Sequence, residues 1–490
     1  MKPTFSQSLF KLILTAALFY ASYGFANWLT AQRDFVPEII FHWEHNLPFW
    51  AWTIVPYWSL NILYGLGFFL CHNHAEQNRY LMQLIAAQSI AIICFILFPL
   101  HISWQKPPTD GLTGQLFASL ATFDQPYNQA PSLHIILTIV VGYFYWRRLG
   151  AIDNSFRGCF FVKITNFCVK NTRQWTALAH IFSLNLAILP EKPTPRPNCQ
   201  QPLVSLKKHR TTIRSVWLIW CALIALSVLT TYQHHFIDIP TGALVGLLIV
   251  WALPYERRSP LVHRVIHTPK HTRWAMLYFM LVIVSGCLAY VINGAGLWLF
   301  WGSVSCLLMG LAYAKFGANL LQKQNNGRHT FAATCLFAPQ ILAAKLNQII
   351  WLRHDTESEH IAENIFIGSL KALKNPNFQA ALDVCAELPA CRTPANYVAL
   401  PMLDMVSPTV AQLAQAAAHL DRLHHQQQTV LVCCALGYGR SAAVILAWLM
   451  LYRAYDWDEA VALLHTARPK AVISADVRAA IEALRFQAYY

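Results

Sequence analysis

The sequence predicts a polytopic α-helical membrane domain of about eight spans, followed by a soluble α/β domain. The chain has 490 residues, of which 56% are hydrophobic and 12% are charged, whereas soluble domains carry about 25% charged residues. Long apolar stretches recur through the first two thirds of the chain. From Ile361 onward, short apolar runs alternate with amphipathic ones, which is typical of the strands and helices of an α/β domain.

Each predicted span is an apolar stretch that approaches the roughly 20 residues needed to cross a bilayer as a helix. The first could be a cleaved signal peptide, but its length and the stretches that follow favour an uncleaved span. Trp and Tyr crowd the ends of the stretches, as in "FWAWTIVPYW", which is typical of anchoring at a membrane interface. The eight stretches lie at about 8–28, 49–70, 81–102, 132–149, 216–235, 237–254, 274–292 and 294–315.

The distribution of Lys and Arg predicts the orientation of these spans. The loops that follow residues 147 and 256 are rich in Lys and Arg, whereas the loops at 29–48 and 103–130 carry one such residue each. Because basic loops stay on the cytosolic side, we expect both chain ends in the cytosol. We expect an integral protein of a plasma membrane, of the bacterial inner-membrane type.

Composition also argues against several classes of protein. The net charge of +14 does not indicate nucleic-acid binding, since the basic residues lie in loops between apolar stretches rather than on one face. The thirteen cysteines lie inside apolar stretches or in parts assigned to the cytosol, which favours reduced thiols over disulfides. The His-rich runs "HNHAEQ" and "HHQQQ" lack a convincing ligand set, so neither a metal nor a cofactor is predicted.

The domain boundaries follow changes in composition. We assign residues 1–316 to the membrane domain, which includes a basic cytosolic insertion at 150–214 broken by "PEKPTPRP". Residues 317–358 form either a linker or a helix on the membrane surface, because apolar side chains there mix with amides and Lys345. Residues 359–490 form the α/β domain, which has a normal size for a domain.

Within the α/β domain, the sequence predicts several strands and helices in turn. "NIFIGS", "ALDVCAEL" and "NYVALPMLD" are predicted as strands or strand edges, and "PTVAQLAQAAAHLDRLHHQ" as a helix. "TVLVC" is predicted as a buried strand, and three helices are expected after it.

The stretch "TVLVCCALGYGRSAAV", residues 429–444, places a cysteine, five residues and an arginine between this strand and a predicted helix. The N–H groups of such a loop can point at one anion at the helix N-terminus. Gly437 and Gly439 permit the tight curvature. The helix N-terminus and Arg440 both favour the thiolate of Cys434, which can then attack phosphorus.

The loop needs partners for phosphoryl transfer. Arg440 can grip two phosphoryl oxygens and stabilise the charge of the transition state. A departing alkoxide needs an acid, and Asp404 ends the strand "YVALPMLD" 30 residues before the loop cysteine, at a sheet edge where ligands bind. Ser441 can assist release of the thiolate when water cleaves the phosphoenzyme. Asp383 and Glu387 are interpreted as structural or surface groups.

"CALGYGRS", with Asp404 and "NIFIGS" upstream and "TARP" downstream, resembles the dual-specificity branch of the cysteine-dependent protein tyrosine phosphatases. The resemblance covers roughly residues 360–485. It implies Cys434 as the nucleophile, Arg440 as the phosphate ligand and Asp404 as the general acid. The sequence departs from the family at Cys433, where a histidine is usual, and we interpret Cys433 as a packed strand residue.

A second set of ionisable residues lies in the membrane part, on the predicted outer side. "YNQAPSLH" brings His134 to the start of the fourth span, and "TTYQHHFID" ends the fifth span with His234 and Asp238 four residues apart. If this segment is helical, the carboxylate shares a face with the imidazole and can orient it. One imidazole can then attack phosphorus, and the other can protonate the leaving oxygen.

These motifs resemble the type 2 phosphatidic acid phosphatase superfamily, in particular its branch related to inositol phosphorylceramide synthases, over roughly residues 50–255. The resemblance implies His234 as the nucleophile, Asp238 as its partner and His134 as the general acid. Lys106 is either a phosphate ligand or an ordinary loop cation, and no arginine precedes the nucleophile in "LSVLTTYQH". The alternative for the two histidines, favoured for the histidine at 235, is an interfacial role.

Together, the two resemblances imply a membrane-bound phosphatase with two sites. An outward-facing His/His/Asp site would act on lipid phosphates, and a cytosolic Cys/Arg/Asp site would hydrolyse phosphomonoesters through a phosphocysteine. The candidate substrates at the cytosolic site are a lipid phosphate such as phosphatidylglycerophosphate, an inositol phosphate and phosphoprotein. One alternative is a lipid phosphotransferase, which passes the phosphoryl group to an alcohol. Another is a membrane-anchored protein that binds a phospho-ligand without turnover.

Overall fold

The computed structural model divides the chain into two compact units, Met1–Ile249 and Val250–Tyr490. Among the described residues, the first unit is built of helices, and the second combines helices with a five-stranded sheet. Most of the predicted insertion at 150–214 lies outside the described part of the chain. The described residues are 1–122, 125–150, 202–265, 268–292, 294–426 and 428–489.

The first unit is a bundle of apolar helices that share polar groups across their contacts. The indole N–H of Trp220 donates to Oγ of Ser59 at 3.1 Å, and the hydroxyl of Tyr145 donates to the main-chain oxygen of Leu63 at 3.0 Å. Such bonds matter because a polar group without a partner is costly in hydrocarbon. The helices are α1 (Phe5–Ala31), α2 (Ile54–Leu70), α3 (His74–Leu97), α4 (Gly111–Ala121), α5 (Leu133–Gly150), α6 (Pro202–Thr230) and α7 (Asp238–Ala252).

Helices α5 and α7 approach each other closely at Gly242. A Cβ atom at this position would lie 2.7 Å from the main-chain oxygen of Ser132 and 2.9 Å from Cβ of Ile135. The amide of Ser132 also donates to the main-chain oxygen of Asp238 at 3.2 Å. The absence of a side chain at Gly242 therefore lets the start of α5, with His134, lie beside the start of α7.

Six helices in the described part of the chain are long and apolar enough to cross a membrane. Helix α5, with 18 residues, and α7, with 15, correspond to two further predicted spans and do not meet this criterion. The number of eight spans therefore stays a prediction. The six helices cover Phe5–Ala31, Ala51–Leu70, His74–Leu97, Thr211–Thr230, Pro269–Ile292 and Gly294–Leu321.

The second unit begins with two apolar helices, α8 (Pro269–Ile292) and α9 (Leu299–Leu311), and α9 continues into a π-helical turn, Ala312–Phe316. We call these three elements the membrane hairpin. Two shorter helices follow, α10 (Phe331–Leu336) and α11 (Ala338–Trp351). The stretch predicted as a linker or surface helix thus contains two helices.

A mixed sheet forms the centre of the second unit, with strand order β1-β2-β5-β3-β4. Strands β2, β5, β3 and β4 are parallel, and β1 pairs antiparallel with β2. The predicted strands are confirmed, whereas the edge strand β1 was not predicted. The strands are β1 (Ser358–Ala362), β2 (Ile365–Ser369), β3 (Ala380–Cys385), β4 (Asn396–Met402) and β5 (Val430–Cys434).

Strand β5 lies in the middle of the sheet and is buried along its whole length, as its unbroken apolar sequence predicts. The helix that follows it is also buried on nearly every side and places Trp448 in the core. The predicted helices are confirmed as α12 (Val410–His425), α13 (Arg440–Tyr452), α14 (Trp457–Ala467) and α15 (Ala475–Tyr489).

Candidate functional site

The loop between β5 and α13 has the form expected of a phosphate-binding loop. Gly437 has a φ of +81°, and a Cβ atom there would lie 2.5 Å from the main-chain carbon of Gly368, so this position requires glycine. Gly439, which we also expected to supply curvature, has a φ of −109° and open space around it. The tight turn therefore depends on Gly437, not on both glycines.

The thiol of Cys434 lies inside this loop and is almost fully buried. Its Sγ accepts a hydrogen bond from the amide of Gly437 at 3.3 Å and lies 3.4 Å from Oγ of Ser441. Ser441 is in the first turn of α13, so Sγ lies at the N-terminus of a helix. An N–H donor and a helix N-terminus both stabilise negative charge on sulfur.

Arg440 is the first residue of α13, and its side chain is held by two acids from neighbouring strand ends. Its two terminal nitrogens donate to the carboxylate of Glu387 at 2.5 and 2.8 Å, and Nη2 lies 3.2 Å from Oδ1 of Asp404. Nη1 also donates to the main-chain oxygen of Met402 at 2.9 Å. Among the described residues, the buried Nε has no hydrogen-bond partner, so one donor of the guanidinium is left unpaired.

Arg440 and its acidic neighbours shift one another's pKa values. Burial alone would raise the pKa of Glu387, but the bidentate contact with Arg440 lowers it, so Glu387 stays a carboxylate. Burial disfavours the charged guanidinium, yet Glu387 and Asp404 raise the pKa of Arg440. The sequence interpretation of Glu387 as a structural or surface group missed this contact with the loop arginine.

Asp404 follows β4, as predicted, and its side chain is 48% exposed at the mouth of the site. Loss of water around the carboxyl disfavours its charged form and raises the pKa of Asp404, and the nearby Glu387 acts in the same direction, although Arg440 opposes both. A raised pKa favours the protonated form, which a general acid requires.

The downstream segment "TARP" contributes Arg468, which contacts the backbone of the loop between β5 and α13. The buried guanidinium of Arg468 donates to the main-chain oxygen of Leu436 at 3.1 Å and to that of Thr356 at 2.9 Å. It also lies over the ring of Tyr438, 5.0 Å from its centroid, and the amide of Val472 donates to the main-chain oxygen of Tyr438 at 2.8 Å. These contacts fix the loop backbone, a role that the sequence did not reveal.

Cys433 is fully buried in β5 and pairs in register with Gly368 and Asp383 on the two neighbouring strands. Burial raises the pKa of the Cys433 thiol well above its usual range. A neutral, enclosed thiol is unreactive, which agrees with the interpretation of Cys433 as a packed strand residue.

In the first unit, the structure brings the three predicted residues of the membrane site together. Nδ1 of His234 lies 3.1 Å from Oδ2 of the fully buried Asp238. The ring of His134 stacks on Tyr57, with centroids 3.8 Å apart, and its Nε2 is buried without a hydrogen-bond partner among the described residues. His134 and His234 line one cavity of about 230 Å³, whose other walls come largely from residues of α1 and α2, six of them aromatic.

The segment that carries His234 and Asp238 is not one helix, so the condition under which they would share a helical face is not met. Helix α6 ends at Thr230, because Tyr232 takes a left-handed φ of +53°, and Asp238 is the first residue of α7. The pair instead forms across the turn between the helices, where the amide of His235 also donates to Oδ2 of Asp238 at 3.1 Å. The residue pair was therefore predicted for the wrong structural reason.

Two neighbouring residues have other partners. Nδ1 of His235 lies 3.3 Å from the buried carboxylate of Glu44, and its Nε2 lies 3.1 Å from Oγ of Ser103. Lys106 donates to the side-chain oxygen of Gln233 at 2.8 Å, one residue before His234. Lys106 thus lies near the histidine motif, and His235 has the contacts of a structural residue.

Comparison with known proteins identifies the class of the α/β domain within the second unit. Residues 363–483 match the family described as dual specificity phosphatase, catalytic domain. This range contains the loop cysteine, its arginine and Asp404. The chain therefore carries a dual-specificity phosphatase domain, and the protein is a phosphatase.

Solved structures of phosphatases are similar to about a quarter of the chain. Human DUSP28 is 19% identical over 28% of this chain and 97% of its own, with a TM-score of 0.25. Tk-PTP in its active form is 24% identical over 27% of this chain and 97% of its own, with a TM-score of 0.25. PTPMT1 in complex with PI(5)P is 16% identical over 27% of this chain and 99% of its own, with a TM-score of 0.23. A search of curated proteins finds no match.

Proposed function

We propose that the phosphatase domain hydrolyses phosphomonoesters through a phosphocysteine intermediate. The position of Cys434 Sγ, inside the loop and beside the amide of Gly437, is the observation that supports this most directly. The thiolate attacks phosphorus, so that an S–P bond forms as the ester P–O bond breaks. Asp404 donates its proton to the leaving alkoxide.

The second half of the reaction regenerates the thiolate. Water attacks the phosphocysteine, the Asp404 carboxylate takes a proton from this water, and inorganic phosphate leaves. Ser441, 3.4 Å from Sγ, stabilises the departing thiolate. Arg440 donates to a phosphoryl oxygen through its unpaired Nε, while Glu387 holds the terminal nitrogens of the guanidinium in place.

The first unit is proposed to act on lipid phosphates at the outer side of the membrane. Asp238 occupies Nδ1 of His234, which leaves Nε2 of this imidazole as the nucleophile. His134 lines the same cavity and has a buried Nε2 that can protonate the leaving oxygen. Lys106 supplies positive charge near the phosphate.

In this proposal, both chain ends lie in the cytosol and the two sites act from opposite sides of a plasma membrane of the bacterial inner-membrane type. The six apolar helices long enough to cross a membrane support an integral protein. A covalent connection keeps both sites at one membrane and raises the effective concentration of membrane-bound substrate at each.

The test is phosphate release by the full chain in detergent micelles, measured on lipid phosphates and on p-nitrophenyl phosphate. Cys434→Ser is expected to abolish turnover of p-nitrophenyl phosphate, and His234→Ala to abolish release from a different, lipid substrate. Matched controls are Cys391→Ser and His45→Ala, which change exposed residues of the same types in the same units. Both controls should keep the rates of the unmodified chain.

The outcomes separate this proposal from its alternatives. A phosphodiester product that carries an added alcohol would indicate a lipid phosphotransferase in the first unit. Tight binding of a phospho-ligand without turnover at either site would indicate a binding protein. If neither substitution changes phosphate release, both catalytic assignments are wrong.

A further inference from the structure

Helix α11 has one face of exposed apolar side chains. Leu342, Leu346, Ile349 and Ile350 follow one another at helical spacing, and each is more than half exposed. Soluble surfaces seldom leave so many large apolar residues together without a partner. We therefore expect this apolar face to contact a partner rather than water.

Helices α10 and α11 contact the membrane hairpin, and these contacts indicate what covers the apolar face of α11. Nε2 of Gln340 donates to the hydroxyl of Tyr278 at 2.8 Å, and the indole N–H of Trp301 donates to the main-chain oxygen of Cys335 at 2.9 Å. Helices α10 and α11 are thus attached directly to helices that are apolar enough to cross a bilayer. Lipid is the occupant that fits both surfaces.

The opposite side of α11 reaches the phosphate loop. Nε2 of Gln348 donates to the main-chain oxygen of Ala435 at 2.6 Å, and Ala435 is the residue after Cys434. A helix with its side chains is about 10–12 Å across, so the loop lies about one helix diameter from the apolar face. This distance is somewhat larger than the thickness of the headgroup layer on each side of a bilayer, which is about 5–8 Å.

The acid of the site is attached to the same hairpin. The hydroxyl of Tyr313, in the π-helical turn after α9, donates to the main-chain oxygen of Asp404 at 3.1 Å. Tyr313 also stacks on Tyr278, with ring centroids 5.6 Å apart. Met405, the next residue after Asp404, exposes an apolar side chain at the mouth. Gln348 of α11 and Tyr313 after α9 thus contact the nucleophile loop and the backbone of the acid, respectively.

We propose that the Cys434 site takes the phosphomonoester headgroup of a lipid that remains in the bilayer. The inference rests on the phosphocysteine reaction proposed above and adds the class of its substrate. The lipid chains stay in the membrane beside α11, and only the terminal phosphate enters the loop. Soluble phosphate esters lack this membrane anchorage and are poorer substrates.

The test uses the full chain with His234→Ala, which removes turnover at the other site, reconstituted in phosphatidylcholine vesicles. The substrates are long-chain phosphatidate in the vesicles, and p-nitrophenyl phosphate, an inositol phosphate and a phosphotyrosine peptide in solution. Ile350→Glu is compared with Phe486→Glu, since the two apolar side chains are 63% and 66% exposed. We expect Ile350→Glu to lower the ratio of phosphatidate to p-nitrophenyl phosphate turnover about tenfold, and Phe486→Glu to leave it unchanged.

Three results would overturn the inference. The chain could hydrolyse p-nitrophenyl phosphate but not phosphatidate, or it could have a higher kcat/KM for a soluble phosphoester than for phosphatidate. In the third, both glutamate variants change the ratio of phosphatidate to p-nitrophenyl phosphate turnover equally. A different result contradicts the underlying reaction. If Cys434→Ser in the same background still hydrolyses p-nitrophenyl phosphate, the phosphocysteine mechanism itself is wrong.

Discussion

Nζ of Lys323 lies 2.6 Å from Oδ2 of Asp383, and both side chains are fully buried. Lys323 comes from the segment after the membrane hairpin, whereas Asp383 is on β3 of the phosphatase sheet. The ammonium also donates to the main-chain oxygen of Cys385 at 2.6 Å, and the hydroxyl of Tyr397 bonds to the same carboxylate oxygen. A residue from outside the matched phosphatase range thus completes the interior of the domain.

Lys323→Met is expected to destabilise the second unit by about 3–5 kcal/mol, because it leaves the buried carboxylate of Asp383 without its counter-charge. Burial disfavours the ammonium, yet the attraction of Asp383 outweighs it and raises the pKa of Lys323. Thermal unfolding of the detergent-solubilised chain measures the effect. Lys374→Met, a change at an exposed lysine of the same unit, serves as the control.

A second variant tests the cause of this loss. Lys323→Met combined with Asp383→Asn removes both charges while keeping an oxygen for Tyr397, so it should recover part of the lost stability. If the double variant is no more stable than Lys323→Met alone, the ion pair does not explain the effect.

Asp404→Asn is expected to bind inorganic phosphate more tightly while it loses turnover. The Asp404 carboxyl lies 3.2 Å from Nη2 of Arg440, where a phosphoryl oxygen would also bind. At a pH above the pKa of Asp404, where the carboxyl is charged, removing one unit of repulsion, about 1 kcal/mol at 4 Å in water, corresponds to roughly fivefold tighter inhibition by phosphate. The loss of the acid should lower kcat on alkyl phosphates about 10²–10⁴-fold.

Inhibition constants and kcat from the same preparation check both effects. Asp458→Asn, at an exposed aspartate of α14, is the matched control and should change neither. Weaker phosphate binding in Asp404→Asn would show that the carboxyl does not compete for the arginine.

The dependence of kcat/KM on pH should reflect the raised pKa of Asp404. The acid must be protonated to act, so the rate falls as the pH rises through this pKa. Because the pKa lies above that of an ordinary aspartate, the fall begins at a correspondingly higher pH. Profiles of the unmodified chain and Asp404→Asn on one alkyl phosphate isolate this limb from the ionisation of the substrate. If the fall in kcat/KM at high pH persists unchanged in Asp404→Asn, a group other than Asp404 causes it.

The sequence predicted most of the α/β domain because its elements have strong local signals. The unbroken apolar run of β5 and the spacing from Cys434 to Arg440 identified the loop. The contact of Glu387 with Arg440 joins residues 53 positions apart, at the ends of different elements. No periodicity or motif encodes such a distance, so only the folded sheet reveals the contact.

The same limit applies to elements joined from different parts of the chain. Lys323 and Asp383 are 60 residues apart, and composition alone assigned Lys323 to a linker or a membrane-surface helix. In the membrane part, sequence spacing found His234 and Asp238, but not the left-handed Tyr232 that ends α6 before them. A single residue with positive φ leaves little trace in a sequence without glycine there.

Two adjacent histidines of the first unit have the same kind of partner. His234 lies 3.1 Å from Asp238, and His235 lies 3.3 Å from Glu44, so each imidazole is held by a buried carboxylate. Only His234 of the two is among the residues that line the cavity shared with His134. If this cavity holds the lipid phosphate, the two pairs should differ in function although they are similar in geometry.

Asp238→Asn is expected to lower the rate of phosphate release from a lipid phosphate by at least about 10²-fold, because an amide no longer stabilises the charged imidazole or fixes its tautomer. Glu44→Gln makes the same chemical change at the other pair and should keep the rate within about threefold, even if its unfolding temperature falls. Both variants are assayed in a Cys434→Ser background, so that the phosphatase domain contributes no phosphate. Equal loss in the two variants would mean that both carboxylates act only through the fold, whereas loss confined to Asp238→Asn assigns the chemistry to the His234 pair.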